Sequence, residues 1–209
     1  MGIMRPERLP LFPLNVVLLP GATLPLHIFE PRYKEMVKDC LEEKSEFGML
    51  LALPKGVAKV GCTAEILEVV KRYNDGRMDI VTVGRAPFRV VEWFSEKPLL
   101  EGQVDYLEDR GNFGNPLLQP QLVELYEACH TLLFEDYPKN LEGALIEDLS
   151  YRIASTLPMD LLWKQQILEL RSEEDRQERL VSYLREWAPH LQNNKVMRQG
   201  AGGNGHGLN

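Results

Sequence analysis

One segment of the sequence comes close to a phosphate-binding loop. Residues Gly56–Thr63 match the pattern GxxxxGK[ST] except where Cys62 replaces the lysine. That lysine contacts the β- and γ-phosphates of a nucleotide, and a thiol cannot supply its positive charge. The segment also leads into the strand-like run Ala64–Val70, whereas a phosphate loop leads into a helix. The sequence therefore predicts no nucleotide site here.

The residues suited to nucleophilic or metal chemistry are scattered along the chain. They are the histidines His27, His130, His190 and His206 and the cysteines Cys40, Cys62 and Cys129. No serine lies in GxSxG, no HExxH occurs, and no His, Cys and carboxylate cluster has metal-ligand spacing. The cysteine spacing favours reduced, buried thiols, and His27 lies between apolar neighbours, which favours a structural histidine. We therefore predict no catalytic residue, no metal site and no cofactor.

Aromatic side chains are the remaining candidates for a site. Trp93 and Phe94 end a strand-like segment, where only one of two neighbouring side chains faces the core. Phe113 lies in a glycine-rich loop. Such residues commonly pack in a core, and the alternative is an apolar surface patch for extended or unfolded polypeptide. We take these three as the candidate polypeptide-binding residues.

The first half of the chain has to position these residues, and its patterns are those of strands. About six or seven short apolar segments are separated by turn signals, among them Pro20-Gly21 and Asn74–Gly76. One segment differs, because Tyr33, Met36, Val37, Cys40 and Leu41 fall on one face of a helix. Short strands with one inserted helix predict an antiparallel barrel or a strongly curled sheet.

The second half of the chain has helical spacing throughout. Predicted helices start at Asn115-Pro116, run through Leu145–Leu157, cover Leu161–Leu170, and follow a cap formed by Ser172 and Asp175. The sequence thus predicts an α+β protein with a β-rich subdomain over residues 9–108 and a helical subdomain over residues 115–191. The tail, residues 192–209, is rich in Gly and Asn, which predicts disorder.

Composition excludes some classes of partner. The 209 residues carry a net charge of −7 and show no basic run, which argues against tight binding of nucleic acid. Proline interrupts the apolar N-terminal stretch, and no apolar run approaches the roughly 20 residues that cross a bilayer. We expect a cytoplasmic protein that does not enter a membrane; the sequence assigns no oligomeric state.

Several motifs together resemble the N-terminal substrate-binding domain of Lon proteases. They are Leu9–Leu14, Leu19–Gly21, Leu24–Tyr33, Val60–Ala64, the Asp75-Gly76 turn, Val83–Arg85, Phe88–Val90 and Lys164–Glu169. The resemblance covers about Leu9 to Trp187 and implies a PUA-like β-barrel followed by a C-terminal helical bundle. It also implies that the matching residues Pro20, Gly21, His27, Glu30, Pro31, Arg32 and Tyr33 are architectural. Pro20-Gly21 would form a turn, and Pro31 would begin a helix.

The resemblance implies recognition of polypeptide substrates without catalysis. Lon proteases continue into an ATPase module and a serine–lysine protease module, and we expect neither within this sequence. Our leading hypothesis is a free-standing domain that binds unfolded or tagged polypeptide, with a separate protease as a further partner. The alternatives are a small-molecule or nucleic-acid binder with a basic cleft, and, last, an enzyme with a deep polar pocket. The basic cleft would be built from Lys71, Arg72, Arg85 and Arg89.

Overall fold

The computed structural model describes residues 6–96, 98–110, 114–138, 141 and 148–202, with side chains described up to residue 197. Six strands and five helices lie within these residues. The strands are β1 (Arg8–Leu14), β2 (Thr23–Ile28), β3 (Phe47–Leu53), β4 (Gly56–Arg72), β5 (Met78–Phe94) and β6 (Glu101–Tyr106). The helices are α1 (Pro31–Glu43), α2 (Gln119–Phe134), α3 (Leu149–Thr156), α4 (Leu161–Glu169) and α5 (Glu173–Gly202).

The chain divides into two compact units. The sheet unit comprises Met1–Asp109 with Pro158–Arg171, and the helical unit comprises Arg110–Leu157 with Ser172–Asn209. Helix α4 therefore belongs with the sheet, whereas the sequence places it in the helical subdomain. A side-chain hydrogen bond explains the difference, since Gln165 Nε2 donates to the Val60 carbonyl oxygen of β4 at 3.0 Å.

The six strands form one sheet in the order β2-β5-β4-β3-β1-β6, with a further pairing between β5 and β6. Because β6 pairs with both β1 and β5, the pairings connect five strands in a circuit. The prediction of an antiparallel arrangement is wrong at one pair, since β1 and β3 run parallel. The chain passes through β2 and α1 between them, and this crossover returns it in the same direction.

The predicted Asn74–Gly76 turn joins the two longest strands, β4 and β5. Gly76 adopts a φ of 81°, a left-handed conformation that favours glycine. Strand β5 runs unbroken through residues 84–87. A register shift against β4 at this point accommodates Pro87.

The core of the sheet unit is apolar. One cluster consists of Leu9, Leu11, Leu50, Phe88, Val90 and Val104. Helix α1 buries the predicted face, including Met36, Val37 and Cys40.

Gly84 of β5 lies against the backbone that precedes β2. Its N–H donates to the Ala22 carbonyl oxygen, its own carbonyl oxygen accepts the Gly21 N–H, and a Cβ at position 84 would overlap the Leu19 carbonyl oxygen. Backbone therefore lies against backbone where the chain enters β2.

The helical unit contains α2, α3 and α5. Helix α2 starts at Gln119 rather than at Asn115, because Asn115 Oδ1 accepts the Leu117 N–H in a turn. The predicted cap of the last helix is confirmed, since the Asp175 N–H donates to Ser172 Oγ at 3.3 Å. Helix α5 continues to Gly202, so residues 192–202 are helical where the sequence predicts disorder. The segment 192–199 contains no glycine or proline that would end the helix.

Candidate functional site

Two of the three aromatic candidates lie at the end of β5. Trp93 is opposite Gly102 of β6 and is 38% exposed. Phe94 is partly buried, and the Arg8 guanidinium carbon lies 4.2 Å from the centre of its ring. Phe113 lies outside the described residues. The structure therefore leaves Trp93 accessible at this end of the sheet and engages Phe94 in a local cation–π contact.

The residues around the start of α1 contact one another. Pro31 is the first residue of the helix, and Arg32 Nη2 lies 2.8 Å from Glu30 Oε2. Arg32 Nη1 also donates to the Pro98 carbonyl oxygen at 3.3 Å. The Tyr33 ring stacks on Phe12 with centroids 4.0 Å apart. These contacts fix the entry into α1 and offer no reactive group.

The Pro20-Gly21 segment forms the predicted turn before β2. Pro20 makes an isolated bridge to Gly84, and Gly21 has a φ of 75°. Any other residue type at position 21 would strain the backbone.

His27 is exposed, and its ring is hydrogen-bonded. Its Nδ1 lies 2.5 Å from Asp79 Oδ1, and the Tyr73 hydroxyl donates to Asp79 Oδ2 at 2.8 Å. The hydrogen bonds from His27 and then Tyr73 lower the pKa of Asp79 from its ordinary value of 3.8. The His27 ring lies 6.0 Å from that of Phe29, which is also exposed. This cluster fastens β2 to β5.

Three exposed apolar residues of the sheet sit at β-bulges, and sequence reasoning missed them. Leu67, Val70 and Val91 are 51%, 59% and 50% exposed. Each is the extra residue at a register shift, the first two on β4 and the third on β5. A bulge redirects a side chain, which explains why apolar residues face water here. The signal in the sequence is the doubled apolar residues Ile66-Leu67 and Val69-Val70, which break the alternation of a half-buried strand.

Leu67 and Val70 lie on an open edge, and we call them the edge patch. Beyond residue 64, no strand in the described part of the chain pairs with β4 except β5. Most residues of this segment, 65–72, are exposed and none is buried. An open edge offers unpaired backbone groups to an extended chain, whereas bulges and charges protect it from pairing indiscriminately.

A basic cavity lies between α1 and the β4–β5 turn, and we call it the hairpin pocket. It has a volume of about 360 Å³ and is lined by Lys34, Glu35, Lys38, Arg72, Tyr73, Gly76, Arg77 and Met78. The turn is held by Asp75, whose side chain accepts from the backbone and the side chain of Arg77. These hydrogen bonds from Arg77 lower the pKa of Asp75. The pocket therefore combines a rigid turn with several cations.

The other flank of α1 is acidic. A cavity of about 370 Å³ there includes Asp39, Glu43, Glu46 and Glu101 among its lining residues. Charges of opposite sign thus occupy the two flanks of one helix.

The residue types suited to metal or thiol chemistry are dispersed in the described part of the chain. They contain no group of three or more His, Cys, Asp or Glu that could hold a metal ion. The three cysteines are buried, and burial raises the pKa of the Cys129 thiol to about 11. The segment Gly56–Thr63 lies within β4, which is not the context of a phosphate loop. None of the described helices combines the length and apolar character that spanning a membrane requires.

Comparisons with known proteins give a consistent result. The ATP-dependent protease La (LON) substrate-binding domain matches residues 8–186. Lon protease 2 of Myxococcus xanthus is 28% identical over 181 residues, which cover 78% of this chain and 22% of that protein. The Lon protease of Anaeromyxobacter dehalogenans is 26% identical over 181 residues, 78% of this chain and 21% of that protein. The chain thus spans about a fifth of the length of these curated relatives.

Solved structures share the architecture. The Lon N-terminal domain protein from Xanthomonas campestris aligns with a TM-score of 0.67 and 30% identity, covering 84% of this chain and 98% of that chain. The N terminal domain of the Mycobacterium avium complex Lon protease aligns with a TM-score of 0.60 and covers 85% and 98%. The latter is 16% identical and shows similarity of fold alone.

Proposed function

Because the chain belongs to the Lon substrate-binding domain family, we propose that it recognises unfolded or tagged polypeptide. The observation that carries the proposal is the match over residues 8–186, which lies in a non-catalytic domain of that family. The mixed α+β fold agrees with the Lon N-terminal domain. We further propose that the circuit of five strands is a PUA-like barrel. The protein would act in the cytoplasm as a free-standing domain and as an adaptor for a separate protease.

Exposed apolar side chains supply a physical basis for binding. An unfolded chain exposes apolar residues that a folded protein buries, so a recognition surface needs apolar groups in water. The edge patch meets this requirement, and Val91 with Trp93 meets it at the other end of β5. We place the primary contact at the edge patch, because an extended substrate can also hydrogen-bond to the open edge of β4.

Nucleic-acid binding is the less favoured alternative. Its basic cleft would require Arg85 and Arg89 to join Arg72, but Arg85 Nε lies 2.5 Å from Glu65 Oε2. Arg72 is opposite Met78 on β5, several residues along the strand from both. The four predicted basic residues therefore do not form one cleft.

Fluorescence anisotropy with labelled peptides from an unfolded protein tests the proposal. We expect saturable binding to these peptides and none to a folded protein or to RNA. The double variant Leu67→Ser/Val70→Ser should weaken binding about tenfold or more, since full burial of each side chain would contribute about 1.5–3 kcal/mol and an extended peptide on the edge covers only part of each. Leu117→Ser is the matched control, because Leu117 is exposed and lies in the helical unit. Equal binding by both variants would move the site away from the edge patch.

A further inference from the structure

The hairpin pocket concentrates positive charge in a protein whose net charge is −7. Four of its lining residues are Lys or Arg, and only Glu35 is acidic. Lys71 lies close by, with Nζ 4.6 Å from the centre of the Tyr73 ring. A local excess of cations in an acidic protein marks a place where an anionic group is favoured.

Arg72 is the cation whose charge is least compensated. Its Nη1 donates to the Met78 sulfur at 3.4 Å, and a thioether is a weak acceptor. Among the described residues, no carboxylate forms an ion pair with Arg72. Arg77, by contrast, lies 2.7 Å from Asp75 Oδ2 and is neutralised by it. Arg72 therefore retains donors in a fork geometry that matches a carboxylate.

The other wall of the pocket is aromatic and apolar. The Arg77 guanidinium carbon lies 4.9 Å from the centre of the Tyr73 ring, and the Tyr73 hydroxyl is held by Asp79. Met78, which also lines the pocket, is buried. Lys34 reaches across from α1, where its Nζ donates to the Asp75 carbonyl oxygen at 2.9 Å. A cationic rim over an apolar floor suits a carboxylate carried on an aliphatic side chain.

We propose that the hairpin pocket binds an acidic side chain of the polypeptide substrate. The inference rests on the proposed function and adds a charge preference to it. Arg72 follows Val70 by two residues on β4, a distance of about 7 Å along a strand. A substrate that places an apolar residue on the edge patch thus brings an acidic residue two positions away to Arg72.

The surroundings favour a polypeptide over a nucleic acid. Glu68 occupies the same edge segment of β4 and would repel a continuous row of phosphates. The pocket volume of about 360 Å³ accommodates one or two anionic groups. The acidic flank of α1 repels anions in turn, which confines the preference to one side of the helix.

A pair of peptides that differ in one residue tests this inference. Both are fluorescein-labelled, extended and apolar, with Glu in one and Gln in the other, two positions after a Leu. We expect the wild-type protein to bind the Glu peptide about fivefold more tightly than the Gln peptide, since a partly exposed ion pair contributes up to about 1 kcal/mol. Arg72→Glu should abolish or reverse this ratio. Arg89→Glu, an equal change of charge at another exposed position of the sheet unit, should preserve it.

The outcomes separate the two proposals. Equal affinity for both peptides in the wild type would overturn the charge preference and leave polypeptide recognition standing. If Arg72→Glu and Arg89→Glu changed the ratio of the two affinities equally, the preference would come from long-range electrostatic attraction and not from binding in the hairpin pocket. Failure to bind either peptide would overturn the proposed function itself. An RNA oligonucleotide that binds more tightly than both peptides and is lost with Arg72→Glu would replace the polypeptide as the ligand.

Discussion

The helical unit buries a pair of opposite charges, whereas the sheet unit displays several charged residues at the hairpin pocket. In the helical unit, Glu173 and Arg176 lie 3.0 Å apart and have almost no exposed surface. Ser150 donates both its N–H and its hydroxyl to the Glu173 carboxylate, and Arg176 lies over the Tyr151 ring. These contacts tie α3 to α5, so the charges of this cluster hold helices together.

The hairpin pocket uses the same residue types in water. Arg72 and Lys38 are both exposed. The Arg72 guanidinium donates to the Met78 thioether, and Lys38 Nζ lies 3.8 Å from the Glu42 carboxylate. Exposed pairs of this kind contribute little to stability. The contrast teaches that burial decides the role of a charge: a buried pair organises the fold, and an incompletely paired exposed cation is left to bind a ligand.

Breaking the buried pair should give the largest effect. Arg176→Ala leaves the Glu173 carboxylate buried without its cation, and we expect the free energy of unfolding to fall by about 3–5 kcal/mol. Urea denaturation followed by circular dichroism measures this change. The double variant Glu173→Gln/Arg176→Met should recover most of it, because no uncompensated charge remains. A double variant as unstable as Arg176→Ala would show that packing around Arg176, not its charge, is what matters.

Removing one hydrogen-bond donor from the buried cluster should have a smaller effect. In Ser150→Ala, Glu173 keeps the backbone N–H of residue 150 but loses the hydroxyl donor at 2.5 Å. We expect a loss of about 1–3 kcal/mol in the same denaturation experiment. Ser155→Ala is the control, since that hydroxyl donates to the Arg152 carbonyl oxygen within its own helix. Equal losses in the two variants would contradict a special role for the cluster.

The helical unit and the sheet unit also contain carboxylates whose effects on stability should respond to acid in opposite directions. Burial raises the pKa of Glu173 above its ordinary value of 4.5, and the hydrogen bonds from His27 and Tyr73 lower that of Asp79 below 3.8. Ionised Asp79 therefore stabilises the folded protein above pH 3.8. This stabilisation is lost as the pH falls through the pKa of Asp79 in the folded state, which lies below 3.8. For Glu173, burial of the ionised carboxylate destabilises the folded protein above the pKa of this group in the folded state. This destabilisation disappears as the pH falls to 4.5.

Unfolding free energies at several pH values between 7 and 3 test these signs. Relative to Asp79→Asn, the wild type should lose stability only as the pH falls below 3.8. Relative to Glu173→Gln, it should gain stability over the upper part of that range. Parallel pH profiles for the two variants would contradict the assignment.

The sequence predicts those features that depend on local pattern. The buried face of α1, the Asn74–Gly76 turn and the Ser172 cap all follow from residue types at fixed spacing. The buried cluster was missed because Glu, Arg and Gln on a helix are ordinarily solvated. A signal does exist, since Glu173, Arg176 and Gln177 continue the helical spacing of the apolar stripe that includes Leu180.

Features that depend on tertiary contacts are the ones that local pattern could not supply. The attachment of α4 to the sheet relies on Gln165 reaching Val60, more than 100 residues away in sequence. The hairpin pocket joins Lys34 of α1 to Arg72 of β4, and no short motif connects them. The bulge residues Leu67 and Val70 face water because the register of β5 shifts twice against them.

The smallest expected effect concerns the stability of a variant of the hairpin pocket. Arg72→Ala removes an exposed side chain whose guanidinium donates a weak hydrogen bond to the Met78 sulfur. The free energy of unfolding should stay within about 0.5 kcal/mol of the wild-type value, as for other surface substitutions. The same urea experiment that is sensitive to Arg176→Ala measures it. A loss of stability comparable to that of Ser150→Ala would show that Arg72 stabilises the hairpin. Arg72 would then not be a cation that is left available to a ligand.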